Sequence, residues 1–124
     1  MTLQELYASI DGDFAQAQRT MRIDKLIDKH IRKLPANPIF QDLAQAMASG
    51  DAKSVFESAH AIKGVCANLG LVKMATLAGE ICDEYREGRA RTLTDAEVAQ
   101  KIDEVEALFE KAAAAVRRYE QEAQ

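Results

Sequence analysis

Ala52-Lys53-Ser54-Val55-Phe56-Glu57-Ser58-Ala59-His60-Ala61-Ile62-Lys63-Gly64-Val65-Cys66-Ala67-Asn68-Leu69-Gly70 is the stretch that decides the reading of this chain. Asp51 ahead of it is an N-cap and Gly70 behind it a C-terminal stop, so it predicts a helix from about Ala52 to Leu69. At ~100° per residue, Val55, Ala59, Ile62, Cys66 and Leu69 fall within ~80° of arc. That is the stripe of a helix packed into a core. Lys53, Phe56, Glu57, His60, Lys63, Gly64 and Ala67 lie on the other side.

The same punctuation recurs outward. Thr2 with Glu5 makes a capping box ahead of Leu3, Leu6, Tyr7 and Ile10, and Asp11-Gly12-Asp13 ends that short helix. A second helix is expected from Asp13 or Phe14 to about Leu34, where Pro35 stops it. Asn37-Pro38 opens a third, which carries Phe40, Leu43, Ala44 and Met47 and ends at Ser49-Gly50. A fifth runs from about Val72 to Arg86, ending at Gly88. Thr94 with Glu97 opens the last, where Val98, Ile102, Val105, Phe109, Ala112, Val116 and Tyr119 alternate four and three apart. That spacing suits the seam of a bundle. A self-associating coiled coil is its rival, but a long helix beside several others more often packs within its own chain. Short connections make neighbouring helices antiparallel.

Composition agrees and excludes much else. With 124 residues there is room for one domain, 1–124. The chain is 48% hydrophobic, enough for a core, and its six Gly and two Pro are too few for the turns of a β-sandwich. A net charge of −4 argues against nucleic-acid binding by bulk charge. No apolar run approaches the ~20 residues that span a bilayer, and no signal peptide follows Met1, so no membrane association is expected. Two Cys make no disulfide framework and read as reduced thiols of a cytoplasmic protein. The expected class is all-α and monomeric.

Function must come from the polar side of the Ala52–Leu69 helix. Gly12, Gly50, Gly70 and Gly88 sit at helix ends, where glycine is ordinary, but Gly64 does not. A mid-helix Gly costs ~1 kcal/mol against Ala. Gly64 lies one turn beyond His60 on the same face, leaving the ring open to a bulky partner, and Lys63 sets a cation beside it. Phe56, one turn before, is expected as an exposed apolar rim. An open nucleophile, a cation and an apolar rim suit a docking site for a protein that carries phosphate.

The run Ala59 to Gly70 resembles the histidine-containing phosphotransfer (HPt) family, whose pattern is His-x-x-Lys-Gly with Leu-Gly at the helix end. Here these are His60, Lys63, Gly64, Leu69 and Gly70. Gly50-Asp51 ahead, and Met74, Leu77 and Ile81 behind, match the family's turn and apolar positions, so the likeness covers at least Leu26 to Glu84. The resemblance implies an antiparallel four-helix up-and-down bundle with an additional short N-terminal helix. It implies a freestanding phosphorelay intermediate in two-component signalling, a phosphocarrier with no ATPase or kinase activity. His60 would take a phosphoryl group from an aspartyl phosphate on a receiver domain, of a response regulator or a hybrid histidine kinase, and pass it to another receiver's Asp. Lys63 and Gly64 would support the transfer, and Phe56, Ala67, Gly79 and Cys82 would border the docking surface. No cofactor is expected in this chain, since the Mg2+ belongs to the receiver. Many members carry a polar side chain, often Gln, where this chain has Cys82, a poor hydrogen-bonding substitute.

Other readings weigh less. Phosphorylation directly by a histidine kinase is the nearest alternative, and a binding module without phosphohistidine chemistry a remoter one. Glu57-x-x-His60 is a ligand pair of di-iron bundles, but such sites need two copies and two further Glu, and Ile27 stands where His30 would need one. Cys66 belongs to the core stripe, and His30, amid Ile23, Ile27 and Leu34, is expected to be a partly buried structural residue. Nucleophilic attack requires the neutral ring, whose lone pair is free.

Overall fold

In the computed structural model, which describes residues 1–122, the chain runs α1 (Leu3–Ser9), α2 (Phe14–Met21), α3 (Asp24–Arg32), a 3-10 turn (Leu34–Ala36), α4 (Ile39–Ser49), α5 (Ala52–Asn68), α6 (Val72–Glu84) and α7 (Asp95–Glu122). Caps set most of the starts. The Thr2 hydroxyl accepts from Glu5 N–H at 3.1 Å, while the Glu5 carboxylate accepts from Thr2 N–H at 2.9 Å. Thr94 and Glu97 repeat that pairing at the head of α7. The Asp51 carboxylate takes Lys53 N–H at 3.2 Å and the Ser54 hydroxyl at 2.7 Å, opening α5. Each such cap contributes ~1 kcal/mol.

The chain is all-α, and α4 to α7 form its four-helix bundle. Each packs on its successor, and α7 closes the ring against α4. The turns at Gly50-Asp51 and Leu69-Gly70-Leu71 are too short for anything but antiparallel neighbours. The α5 stripe of Val55, Ala59, Ile62 and Cys66 is buried, facing core residues that include Leu43 of α4 and Ala78 and Ile81 of α6. A fully buried Ile or Leu side chain contributes ~1.5–3 kcal/mol of apolar burial. The α7 seam of Val98, Ile102, Val105, Ala112, Val116 and Tyr119 is buried against its own chain, on α6, α4, α1 and α3. Phe40 of α4 stacks on Phe109 with ring centroids 4.2 Å apart. No helix among the described residues is long and apolar enough to cross a membrane.

The N-terminal helices hold the end of α5. Its last carbonyls have no partner within the helix. Tyr7 Oη donates to Leu69 O at 2.6 Å, the Thr20 hydroxyl to Asn68 O at 3.0 Å, and Asp13 N–H to Gly70 O at 2.8 Å. Gly70 has a φ of +70°, and any Cβ there would strike the Asp13 carbonyl oxygen. Glycine is required twice over.

Four expectations are corrected. The second helix does not run unbroken to Leu34, and the bundle carries three short N-terminal helices rather than one. Arg22 has a φ of +73°, and Ile23 N–H bonds back to Met21 O at 2.9 Å, a positive-φ γ-turn that divides α2 from α3. The break changes which residues of α3 face inward. Ile27 and Ile31 are buried, Ile23 is 55% exposed, and His30 is exposed rather than part-buried. At the other end of the bundle, α6 stops at Glu84, so Tyr85 and Arg86 belong to the turn that follows.

Candidate functional site

His60 stands exposed on α5, with its ring lying nearly parallel to that of Phe56 one turn earlier, centroids 5.9 Å apart and planes 11° from one another. Phe56 is not the exposed rim expected of it. It is half-buried, and the Arg86 guanidinium sits 5.5 Å from its ring centroid, held in turn by Asp83 at 3.1 Å. The other neighbour of the imidazole comes from α6. Cys82 Sγ lies 4.0 Å from His60 Nδ1. Cys82 is 0% exposed, so it cannot border a docking surface as expected; it lies beneath the imidazole instead. Burial pushes its thiol pKa up, Asp83 adds to the rise, and Arg86 and Lys63 oppose it.

Lys63 and Gly64 follow on the outer face. Nothing stands within 4 Å of where a Gly64 Cβ would be, so the helix beside His60 is bare. Among the described residues Lys63 is in no ion pair, whereas Lys53 on the same helix meets Glu57 at 4.0 Å. The Lys63 stem lies over Gly79 of α6, whose added Cβ would meet Lys63 Cδ at 3.6 Å and Cε at 3.7 Å. Gly79 is therefore the seat of a lysine rather than part of a bare surface. Beyond it, Lys63, Ala67, Ala75, Gly79 and Asp83 line an open groove of about 580 Å³ between α5 and α6.

The sequence-predicted residues thus divide by position. His60 adjoins Phe56 and Cys82; Lys63, Ala67 and Gly79 share the groove; Gly64 lies open. Cys66 is buried in the core, and burial pushes its thiol pKa up to about 12, which leaves it inert. No group of three or more His, Cys, Asp or Glu placed to hold a metal ion occurs among the described residues. Arg86 and Asp83 were not singled out from sequence. Arg86 stands four residues after Cys82, one turn further along the face that meets His60, and that spacing was the available signal.

Set against models of protein families, the chain matches the one described as Hpt domain over residues 36–118. That span begins later than Leu26 and extends well past Glu84, taking in α4 to α6 and most of α7 and leaving α1 to α3 outside it. Neither the curated proteins nor the solved structures gave a match.

Proposed function

The chain belongs to the Hpt domain family, whose members are phosphotransfer modules of two-component signalling, and from that premise we propose that His60 is the residue that carries the phosphoryl group. One observation supports this most: an exposed imidazole has Lys63 and an unobstructed Gly64 within one turn, on a helix inside the family match. A receiver domain approaching the α5 face meets no side chain at Gly64 and can bring its aspartyl phosphate to the ring. A ring nitrogen attacks phosphorus in line, the carboxylate leaves, and Lys63 offsets the charge of the transferred group. The phosphoramidate formed is itself a good donor, so a second receiver's Asp can take the group in the reverse sense.

The partners in this reading are receiver domains of response regulators or hybrid histidine kinases, which also hold the magnesium the transfer requires. The chain then acts as a relay intermediate, contributing a nucleophile and a docking face without hydrolysing ATP. His60→Gln is expected to abolish acid-labile labelling by a phosphorylated receiver, with an unchanged helical circular-dichroism spectrum. Labelling that persists in that variant places the phosphate elsewhere.

A further inference from the structure

We propose that the face on either side of the Leu34–Ala36 turn binds a second copy of this chain, with the lysines of α3 in one copy meeting the carboxylates of α7 in the other about a two-fold axis. The inference is independent of the phosphotransfer reading, and it departs from the monomer expected from sequence.

The basic half is α3 and the residue after it. Lys25, Lys29 and Lys33 recur four apart, so they stand in one row. All three are exposed and in no ion pair among the described residues, although Arg32 beside them meets Asp28 at 3.0 Å and Glu120 at 3.8 Å. Leu26 lies next to Lys33 on the helical wheel and is 39% exposed. With Ile23 it puts two of the three large apolar side chains left exposed among the described residues on this one element. The acidic half lies across the turn. Asp103, Glu106 and Glu110 of α7 line a groove of about 660 Å³ together with Phe40, Ala107 and Phe109. These carboxylates are likewise in no ion pair among the described residues, and Lys101 on the same helix is taken by Glu80 at 3.5 Å. Asn37 borders both halves: it lines this groove, and with His30 and Lys33 it lines a smaller bay of about 270 Å³.

The two halves match in length and oppose in sign. Lys25 to Lys33 spans ~12 Å of helical rise and Asp103 to Glu110 ~10 Å. Each row repels itself, and neither is neutralised within its own chain. Because the rows adjoin one turn, a second copy rotated about a two-fold axis there sets each against its opposite, and every contact forms twice. Exposed ion pairs are individually weak, so the apolar part of the face matters. Leu26 enters the groove over Ala107 and Phe109, and surface that both copies leave to water is covered. His60, Lys63 and Gly64 belong to neither half, so the dimer keeps two α5 faces free.

Sedimentation equilibrium of the full chain tests this. A reversible dimer is expected at low salt, and its dissociation constant should rise roughly tenfold between ~0.05 and ~0.5 M salt. Lys29→Glu with Lys33→Glu makes both halves acidic, and Glu106→Lys with Glu110→Lys makes both basic. Each double variant is expected to be monomeric alone, with an unchanged helical circular-dichroism spectrum. An equimolar mixture of the two should regain a dimer containing one copy of each. Leu26→Ser should weaken the wild-type dimer roughly tenfold. A wild-type chain that stays monomeric at low salt, at the highest concentration reached, overturns the proposal. So does a dimer that survives either charge reversal, a mixture that does not associate, or a Leu26→Ser dimer of wild-type strength. A mass that keeps rising past the dimer would mean an open head-to-tail chain, and overturns the two-fold arrangement.

Discussion

Gly64 and Gly79 are both mid-helix glycines on the site side of the bundle, and their surroundings make them opposites. Space around a Gly64 Cβ is empty, while a Gly79 Cβ would touch the Lys63 stem at ordinary contact distance. Alanine at either position should stabilise its helix by up to ~1 kcal/mol, because glycine has more backbone freedom to lose on folding. The two substitutions part in function. Gly64→Ala puts a methyl where the receiver must approach, and transfer is expected to fall roughly tenfold as the phosphorus is held off line. Gly79→Ala fills a space already under Lys63 and should leave the rate near wild type. Thermal melts beside receiver-dependent phosphotransfer rates test the pair. A Gly64→Ala chain that gains stability and loses no rate would mean that this glycine does not serve docking.

At the scale of elements, α1 buries Leu6 and Tyr7 in the core and is tied to the end of α5 through one hydroxyl. Tyr7 is buried, and its Oη donates to Leu69 O at 2.6 Å, joining the start of the chain to the end of α5. Tyr7→Phe removes that donor and strands the carbonyl, which should cost ~1–3 kcal/mol in chemical denaturation. A cost near zero would mean that water replaces the hydroxyl and the tether is idle. Why some of this was legible in sequence and some was not follows from the range of each interaction. Thr2, Asp51 and Thr94 cap their helices through residues two or three positions on, so those starts could be read directly. His60, Lys63 and Gly64 lie on one helix, and a wheel placed them together. The break at Arg22 has no glycine or proline to announce it; a positive φ on arginine costs energy that only surrounding packing can supply. His30 was misplaced as a consequence. Cys82 was recognised as a neighbour of the site but not as buried, because burial depends on how α6 meets α5. Phe56 was expected in the open because its cover, Arg86, comes from the turn after α6.

The stability of the whole molecule carries an acid-sensitive contribution that no motif pointed to. Glu84 closes α6 with a carboxylate only 4% exposed, and it accepts the Thr92 hydroxyl at 2.6 Å, Leu93 N–H at 2.8 Å and Thr92 N–H at 2.9 Å, with Arg91 Nε at 3.4 Å. These bonds fasten the ten-residue stretch 85–94 that carries the chain from α6 into α7. The Thr92 hydroxyl, followed by Leu93 N–H, holds the Glu84 pKa down from its ordinary 4.5 to about 2, against the opposing effect of burial. The folded protein therefore binds this proton more weakly than the unfolded chain does, and acid favours unfolding. The contribution is whole above pH 4.5, shrinks as the pH falls below it, and is gone once the pH has passed down through about 2. Glu84→Gln should be less stable than wild type at neutral pH, since an amide cannot accept all three donors. Its stability should then depend less on pH across that acid window, so that the two denaturation curves converge toward the acid end. A gap between them that stays constant from neutral pH to about 2 would assign the loss to packing rather than to the charge on this carboxylate.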